Sequence, residues 1–365
     1  MAKHLEMRNV RVLITGVCGF VGSALATSLQ AHRDDVEIIG IDNLSRPGSE
    51  LNRGILQEQG VRFVHGDIRL GSDLDDLPPA DLVIDAAANP SVLAGLSGAS
   101  GARQLVEHNL LGTINLLEYC KRHHSVFIML STSRVYSIEA LSALTMQTVG
   151  NRFLPVLDRP FPEGLSENGI DETFPTTAPI SLYGATKLAS EALALEYGSM
   201  FSFPVWINRC GVLAGHGQFG RADQGIFSFW IHSWQQRLPL KFLGFGGTGN
   251  QVRDCLDPVD LTSLILMQSD EAGDSKPRVL NVGGGLGSSM SLKELSEWCE
   301  QRFGQHNVIS DGTVRPYDLP WVVLDSSLAA SVWGWSPTVR RDDILESIAV
   351  HAEAHGNWMQ TSRRG

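Results

Sequence analysis

The residues best suited to do chemistry are Tyr183 and Lys187, in the run SLYGATK, and Thr132, in the run LSTSRVY. The stretch that follows, LASEALALEYGSMF, carries apolar residues at helical spacing and predicts a helix from Tyr183 to Met200. Residues four apart share a helix face, so the Tyr183 phenol and the Lys187 ammonium lie one turn apart and point the same way. A phenol with the ordinary pKa of about 10 is a poor base at neutral pH. A neighbouring ammonium favours the phenolate and lowers that value. A second cation beside it would complete a usable general base. Thr132 could supply a further hydrogen bond to the same substrate hydroxyl. Taken alone, Y-x-x-x-K also describes an exposed helix face, so its meaning rests on the rest of the chain.

That second cation is what the start of the chain supplies. VRVLIT, Val10 to Thr15, reads as a strand buried on both faces. Gly16, Gly19 and Gly22 follow, spaced G-x-x-G-x-x-G, and an apolar run from Ala24 to Leu29 then reads as a helix. Gly16 turns the chain off the strand, Gly19 leaves room for a pyrophosphate, and Gly22 lets the helix pack close. The free N–H groups at the helix start attract the anion. A second strand, Val36 to Ile41, ends in Asp42, placed to hold adenosine ribose hydroxyls. Asp67, after the strand Val61 to Val64, could bind the adenine amino group or be a solvated loop acid. Ala86, Ala87 and Ala88 close the strand that starts at Leu82 and leave space beside a cofactor. An oxidised nicotinamide is then the second cation near Tyr183.

These elements alternate strand and helix, the pattern of a parallel sheet covered on both faces. The leucines and isoleucines from Gln104 to Lys121 predict a helix, with Asn109 and Asn115 in it, and Ser125 to Leu130 a strand. From Ser137 to Thr177 regular periodicity is lost among Pro, Gly and acidic residues. A loop this long predicts a functional segment, with Phe153, Leu154 and Phe161 packing part of it down as a lid. The 365 residues, 43% hydrophobic and 19% charged, fit one large domain with an appended lobe. A net charge of −11 argues against a nucleic-acid surface or a polybasic membrane patch. Cys18, Cys120, Cys210, Cys255 and Cys299 lack metal spacing and read as buried thiols in a reducing compartment. No metal site is expected. MAKHLE reads as a leader outside the fold and TSRRG as a frayed tail. With no signal peptide and no apolar run of membrane length, a cytoplasmic protein is expected.

Along nearly its whole length the chain resembles the extended short-chain dehydrogenase/reductase family of nucleotide-sugar epimerases and dehydratases. The carriers are ITGVCGFVGS, GIDNLSR, FVHGDIR, HNLLGTINLLE, STSRVY, SLYGATK and NQVRDCLDPVDL. The resemblance implies a doubly wound α/β (Rossmann) domain with bound NAD and a smaller C-terminal substrate lobe. The nucleotide domain would take residues 8–208, with 252–283 returning to it, and the lobe 209–251 and 284–365. Thr132, Tyr183 and Lys187 match the catalytic trio. Gly16, Gly19, Phe20, Val21 and Gly22 are expected on the pyrophosphate, Asp42 and Asn43 on the ribose, and Asp67 and Ile68 near adenine. Ala86, Ala87 and Asn109 complete the cofactor set. Ser133, Gln218, Arg253 and Arg315 are expected on the substrate, the two arginines on its diphosphate, where bidentate guanidinium contacts suit the work. The helices Gln104 to Lys121 and Tyr183 to Met200 would form a homodimer contact.

Three departures bear on the substrate. Ser137 follows Tyr136 where relatives continue with Gly, Ala86 stands where a His often opens the motif, and Gly211 stands where many place Asn. Thr132-Ser133-Arg134 replaces the Thr-Asp-Glu of 4,6-dehydratases, which removes the acid pair that dehydration needs. The expected reaction is therefore epimerisation through a keto-sugar. The runs IDNLSRPG, NGIDET, QFGRADQGIFSFW and GNQVRD favour C2 of a CDP-deoxyhexose. C4 epimerisation of another nucleotide sugar is the alternative. A binding protein that senses the dinucleotide needs neither Tyr183 nor Lys187.

Overall fold

Alternate residues of the strand Val10–Thr15 enter two different cores. Val12 and Ile14 pack with the helix Phe20–His32 on one side, and Leu13 packs with Leu116 and Leu117 on the other. This two-sided burial is why the strand is apolar throughout. The structure, a computed structural model, describes residues 9–94, 96, 101–156, 161–271, 273 and 275–361. The expected leader and the last four residues of the tail lie outside the described residues.

Seven parallel strands form the main sheet. Their order is Val279–Val282, Val205–Cys210, Val126–Thr132, Leu82–Asp85, Val10–Thr15, Val36–Asp42 and Arg62–His65. The chain runs outward in one direction from Val10–Thr15 and then in the other, so the strand order reverses beside it. Thr15 is in register with Ile41 on one neighbour and Asp85 on the other. The ends that carry Gly16, Asp42 and Ala86 therefore meet, at the crevice where such sheets bind ligands.

Several boundaries differ from expectation. The strand from Leu82 ends at Asp85, because the N–H groups of Ala86 and Ala87 donate to Thr15 Oγ1, at 3.1 and 3.0 Å, rather than to a neighbouring strand. The strand Val126–Thr132 runs on to Thr132, which pairs with Cys210. The predicted helix from Gln104 spans 102–123, with one π-helical turn at Glu107–Leu111.

The segment 137–177 is not an irregular lid. It holds the helix Ile138–Ala143 and the hairpin Met146–Val149 with Arg152–Pro155. Phe153 meets Phe245 edge-on at 5.7 Å, and Arg152 pairs with Glu294 at 2.7 Å, so the hairpin is docked on the C-terminal lobe. The stretch 252–283 divides. Val252–Leu256 joins a separate sheet with Val212–Leu213, Ser289–Ser291 and Trp321–Val322, while the helix Asp260–Ser269 and the strand Val279–Val282 complete the nucleotide domain. From the C-terminal third, the helix Ser327–Trp333 also packs there, with Trp333 edge-on to Trp206 at 5.1 Å. The lobe's own core joins Trp230, Trp234, Leu295 and Ile348 from three helices. All five cysteines are buried free thiols. Among the described residues no helix is long and apolar enough to cross a membrane.

Candidate active site

Gly16 turns at φ +63°, and a Cβ there would come within 2.9 Å of the Ala87 Cα. At Gly22 a Cβ would lie 2.3 Å from the Gly16 carbonyl oxygen, so the helix can pack under the turn only with glycine. The helix Phe20–His32 starts at Gly19 with no side-chain cap and no acidic residue in its first turn. Its leading N–H groups are left for an anion. Gly16, Gly19, Phe20, Val21 and Gly22 line one end of a cavity of about 490 Å³, between the strand ends and the lobe. Ala86, Ala87, Ile68 and Asn43 line it too.

Asp42 faces the same end. Its carboxylate accepts the N–H groups of Cys18 at 2.9 Å and Leu44 at 2.7 Å. Burial nonetheless raises its pKa above the ordinary carboxylate value. Two expectations change here. Asp67 does not line the cavity: its carboxylate is held by Arg69 at 2.6 Å and Asn43 Nδ2 at 3.0 Å. Burial would raise its pKa, but those hydrogen bonds win and hold it well below the usual range. Asn109 does not line the cavity either. Its Oδ1 accepts the Asn89 N–H at 2.8 Å and its Nδ2 donates to the Asn89 carbonyl and to Thr186 Oγ1. It fixes the loop after Asp85 to the helix Ser181–Phe201 rather than touching the cavity.

At the other end, the helix Ser181–Phe201 brings Tyr183 and Lys187 to the cavity wall beside Thr132 and Ser133. The Thr132 hydroxyl favours the ionised form of the Tyr183 phenol. Thr132 Oγ1 accepts the Arg134 N–H at 3.2 Å, and its own proton is left for another acceptor. Burial pushes the Tyr183 phenol up to about 12, opposed by Thr132 and by the charge of Arg134. Lys187 is 2% exposed, and among the described residues nothing accepts a hydrogen bond from its ammonium. A buried, unpaired charge is costly unless a ligand supplies the acceptors. That ammonium, the uncapped helix start and the carboxylate of Asp42 are the fittings a dinucleotide requires.

Arg253 and Arg315 line the cavity beyond Tyr183. Arg253 pairs with Asp318 at 3.2 Å, and among the described residues no carboxylate lies within ion-pair distance of Arg315. Gln218 lines the wall, its Nε2 donating to the Leu213 carbonyl at 2.8 Å and its Oε1 buried without a donor. Gly211 has a physical cause. A Cβ there would come 2.8 Å from the buried Asp254 carboxylate, which leaves no room for an Asn. No described residue of 137–177 reaches the cavity.

Three cavity residues were left out of the expected site, although Arg46 had been weighed as a partner for a 2′-phosphate. Arg134 was visible as a cation in place of an acid, yet its position beside Tyr183 depends on the fold. Arg46 donates from the loop after Asp42 to the Gln224 side chain and the Phe219 carbonyl, and so ties that loop to the lobe. Asp318 neutralises one arginine, and nothing in its local sequence marks it.

The fold and this site define an enzyme of the doubly wound, dinucleotide-binding class, with Thr132, Tyr183 and Lys187 on the cavity wall. The chain belongs to the NAD dependent epimerase/dehydratase family, whose model matches residues 12–283, and NAD is its cofactor. It is 30% identical to CDP-paratose 2-epimerase of Salmonella typhi, over 93% of this chain and 98% of that one. It is 28% identical to UDP-glucuronate 4-epimerase 1 of Arabidopsis thaliana, over 90% of this chain and 73% of that one. Among solved structures, UDP-glucuronic acid 4-epimerase of Bacillus cereus, in complex with UDP-glucuronic acid and NAD, superposes with a TM-score of 0.70 at 25% identity, over 94% of this chain and 99% of that one.

Proposed function

We propose that the chain epimerises a nucleotide-activated sugar through a transient keto-sugar, with C2 of a CDP-deoxyhexose as the substrate position. The observation that carries the reaction type is the surroundings of Tyr183. The cavity-lining residues from the strand end 130–134, the helix Ser181–Phe201 and Cys210 are Leu130 to Arg134, Tyr183, Lys187 and Cys210, with no carboxylate among them. Among the described cavity-lining residues the carboxylates are Asp42 at the adenosine end, Asp223, and Asp318, which is paired with Arg253. Without an acid pair, dehydration has no group to work the neighbouring proton and the leaving hydroxyl. The likeness to CDP-paratose 2-epimerase supports the choice of C2 and CDP. The likeness to two UDP-glucuronate 4-epimerases supports C4 of a UDP-sugar as the second reading.

In this reading Tyr183 takes the proton of the sugar hydroxyl as the carbon is oxidised, and gives it back on reduction. Thr132 holds the same oxygen through its hydroxyl. Lys187 holds ribose hydroxyls and adds positive charge near the phenol. Arg253 and Arg315 anchor the diphosphate while the keto-sugar turns over. NAD, when bound, takes up the hydride of the sugar carbon and returns it to the other face. We further propose a homodimer through the helical stretch 102–123 and the helix Ser181–Phe201, where Leu111, Leu182 and Met200 are exposed; sedimentation of the pure protein gives the mass directly.

The test of reaction type is turnover in D₂O on a panel that includes CDP-paratose, UDP-glucose and UDP-glucuronate, read by proton NMR and mass spectrometry. The expected product has unchanged mass, and its inverted carbon keeps the original hydrogen. Stoichiometric deuterium on carbon, or loss of water, overturns the hydride-return epimerase.

A further inference from the structure

We propose that Arg134 is a positioning residue of the reaction: fixed against the first turn of the Tyr183 helix, its guanidinium stabilises the Tyr183 phenolate and sets the pH range in which the base works. The proposal rests on the reading of Tyr183 as the base.

Backbone geometry holds the turn that carries Arg134 against the helix of Tyr183. Ser133–Val135 is a single 3₁₀ turn, and it runs so close to the helix Ser181–Phe201 that a Cβ on Gly184 would lie 2.2 Å from the Arg134 carbonyl oxygen. Gly184 is the residue next to Tyr183. The same turn sends the Arg134 N–H to Thr132 Oγ1, so the turn and the Thr132 side chain hold each other. The Arg134 side chain then runs into the cavity. Its Nη1 donates to the Tyr317 carbonyl at 3.1 Å, from a residue that holds φ +59°. Among the described residues no carboxylate lies within ion-pair distance of this guanidinium.

The charged groups around it come from every neighbouring element. Arg253 from the strand Val252–Leu256 and Arg315 repel it, Asp318 attracts it, and Tyr183 faces it from the helix. Around Tyr183 itself stand Thr132, Arg134, Cys210 and, one turn along, Lys187. Cys210 is a buried thiol whose pKa burial pushes up to about 12, so it is neutral at the working pH. Three arginines share one carboxylate, so the cavity holds excess positive charge next to the phenol. Of the three arginines, Arg134 is the one whose charge acts on the phenol. A fixed cation beside a buried phenol favours the ionised form, because burial alone makes that form expensive.

The experiment reads the phenol directly. Protein labelled with ¹³Cζ-tyrosine and carrying its bound NAD is titrated by NMR, with the Tyr183 signal assigned by its loss in Tyr183→Phe. Arg134→Gln keeps a donor for the Tyr317 carbonyl but removes the charge; Arg134→Lys keeps the charge. The Tyr183 pKa is expected to rise by about one unit or more in Arg134→Gln and to stay within a few tenths of the parent in Arg134→Lys. On whichever panel sugar turns over, the ascending limb of kcat should move up by the same amount, with activity recovered at alkaline pH. An unmoved Tyr183 titration in a folded Arg134→Gln protein overturns the proposal, as does a loss confined to KM. If Tyr183→Phe keeps full activity while the titration still moves, the base assignment has failed and the electrostatic coupling stands.

Discussion

The hydroxyl of Thr132 accepts the backbone N–H of Arg134 at 3.2 Å and shares the cavity wall with the phenol of Tyr183. With the backbone donating to it, the hydroxyl keeps its own proton to give to the reacting oxygen. Tyr183→Phe removes the proton site while leaving the fold and bound NAD in place. Turnover should fall by about 10² to 10⁴, the usual contribution of one acid–base group. Thr132→Val should cost less, and Thr132→Ser should restore most of it. Near-normal turnover in Tyr183→Phe defeats the assignment.

Arg46 is committed to the lobe. It donates to Gln224 and to the Phe219 carbonyl, both in the segment that walls the cavity, so it is not free to pair with a 2′-phosphate. The nucleotide extracted from purified protein should be NAD. Arg46→Ala should release it faster on dialysis, because the tie between the adenosine loop and the lobe is lost. Equal retention in the two proteins would remove Arg46 from this role.

Arg253→Ala and Arg315→Ala test substrate anchoring. A diphosphate contact is made equally before and at the transition state, so KM should rise and kcat hold. Hydrogen bonds to charged groups are worth about 1.5–3 kcal/mol, so a rise of roughly 10- to 100-fold is expected. Arg315→Ala is the cleaner variant, since Arg253→Ala also strands Asp318. An unchanged KM in Arg315→Ala returns that residue to the surface.

His232 is fully buried in the lobe, its Nδ1 without a partner among the described residues and its Nε2 3.3 Å from His351 Nδ1. Burial, then the neighbouring His351 and His355, lowers its pKa to about 3. Above the unfolded value of about 6.5 the ring is neutral in both states and its burial costs no proton. As pH falls below that, the unfolded chain takes up the proton and the fold does not, so stability is lost from about 6.5 down toward 3. Each pKa unit is worth about 1.4 kcal/mol. Urea midpoints should therefore fall steeply from pH 6.5 to 4, and His232→Leu should flatten that slope; parallel slopes in the two proteins would contradict it.

Gly211→Asn, which restores the residue common in relatives, should destabilise this chain, because the Asp254 carboxylate fills the space. Gly211→Asn combined with Asp254→Ala should recover part of the loss. A thermal melt of the single variant equal to the parent would show that Asp254 can move aside.

Local chemistry was legible from the chain alone. The glycine spacing, the carboxylate at Asp42 and the Tyr183–Lys187 interval each follow from one turn or one strand end, and the structure puts all of them on the cavity wall. The sequence was enough here because a helix fixes what lies four residues away and a strand end fixes what leaves it. The positions of Asp67, Asn109, Arg134 and the segment 137–177 were decided elsewhere. Asp67 was taken by Arg69, and Asn109 by the loop at Asn89. Arg134 was placed by the close approach of its carbonyl to Gly184, where a Cβ would lie 2.2 Å from it, and the 146–155 hairpin by Arg152 pairing with Glu294, 142 residues away. A side chain with several hydrogen-bonding choices, or a segment with no periodicity of its own, takes its place from whichever distant partner the packing brings near. That choice belongs to the tertiary structure.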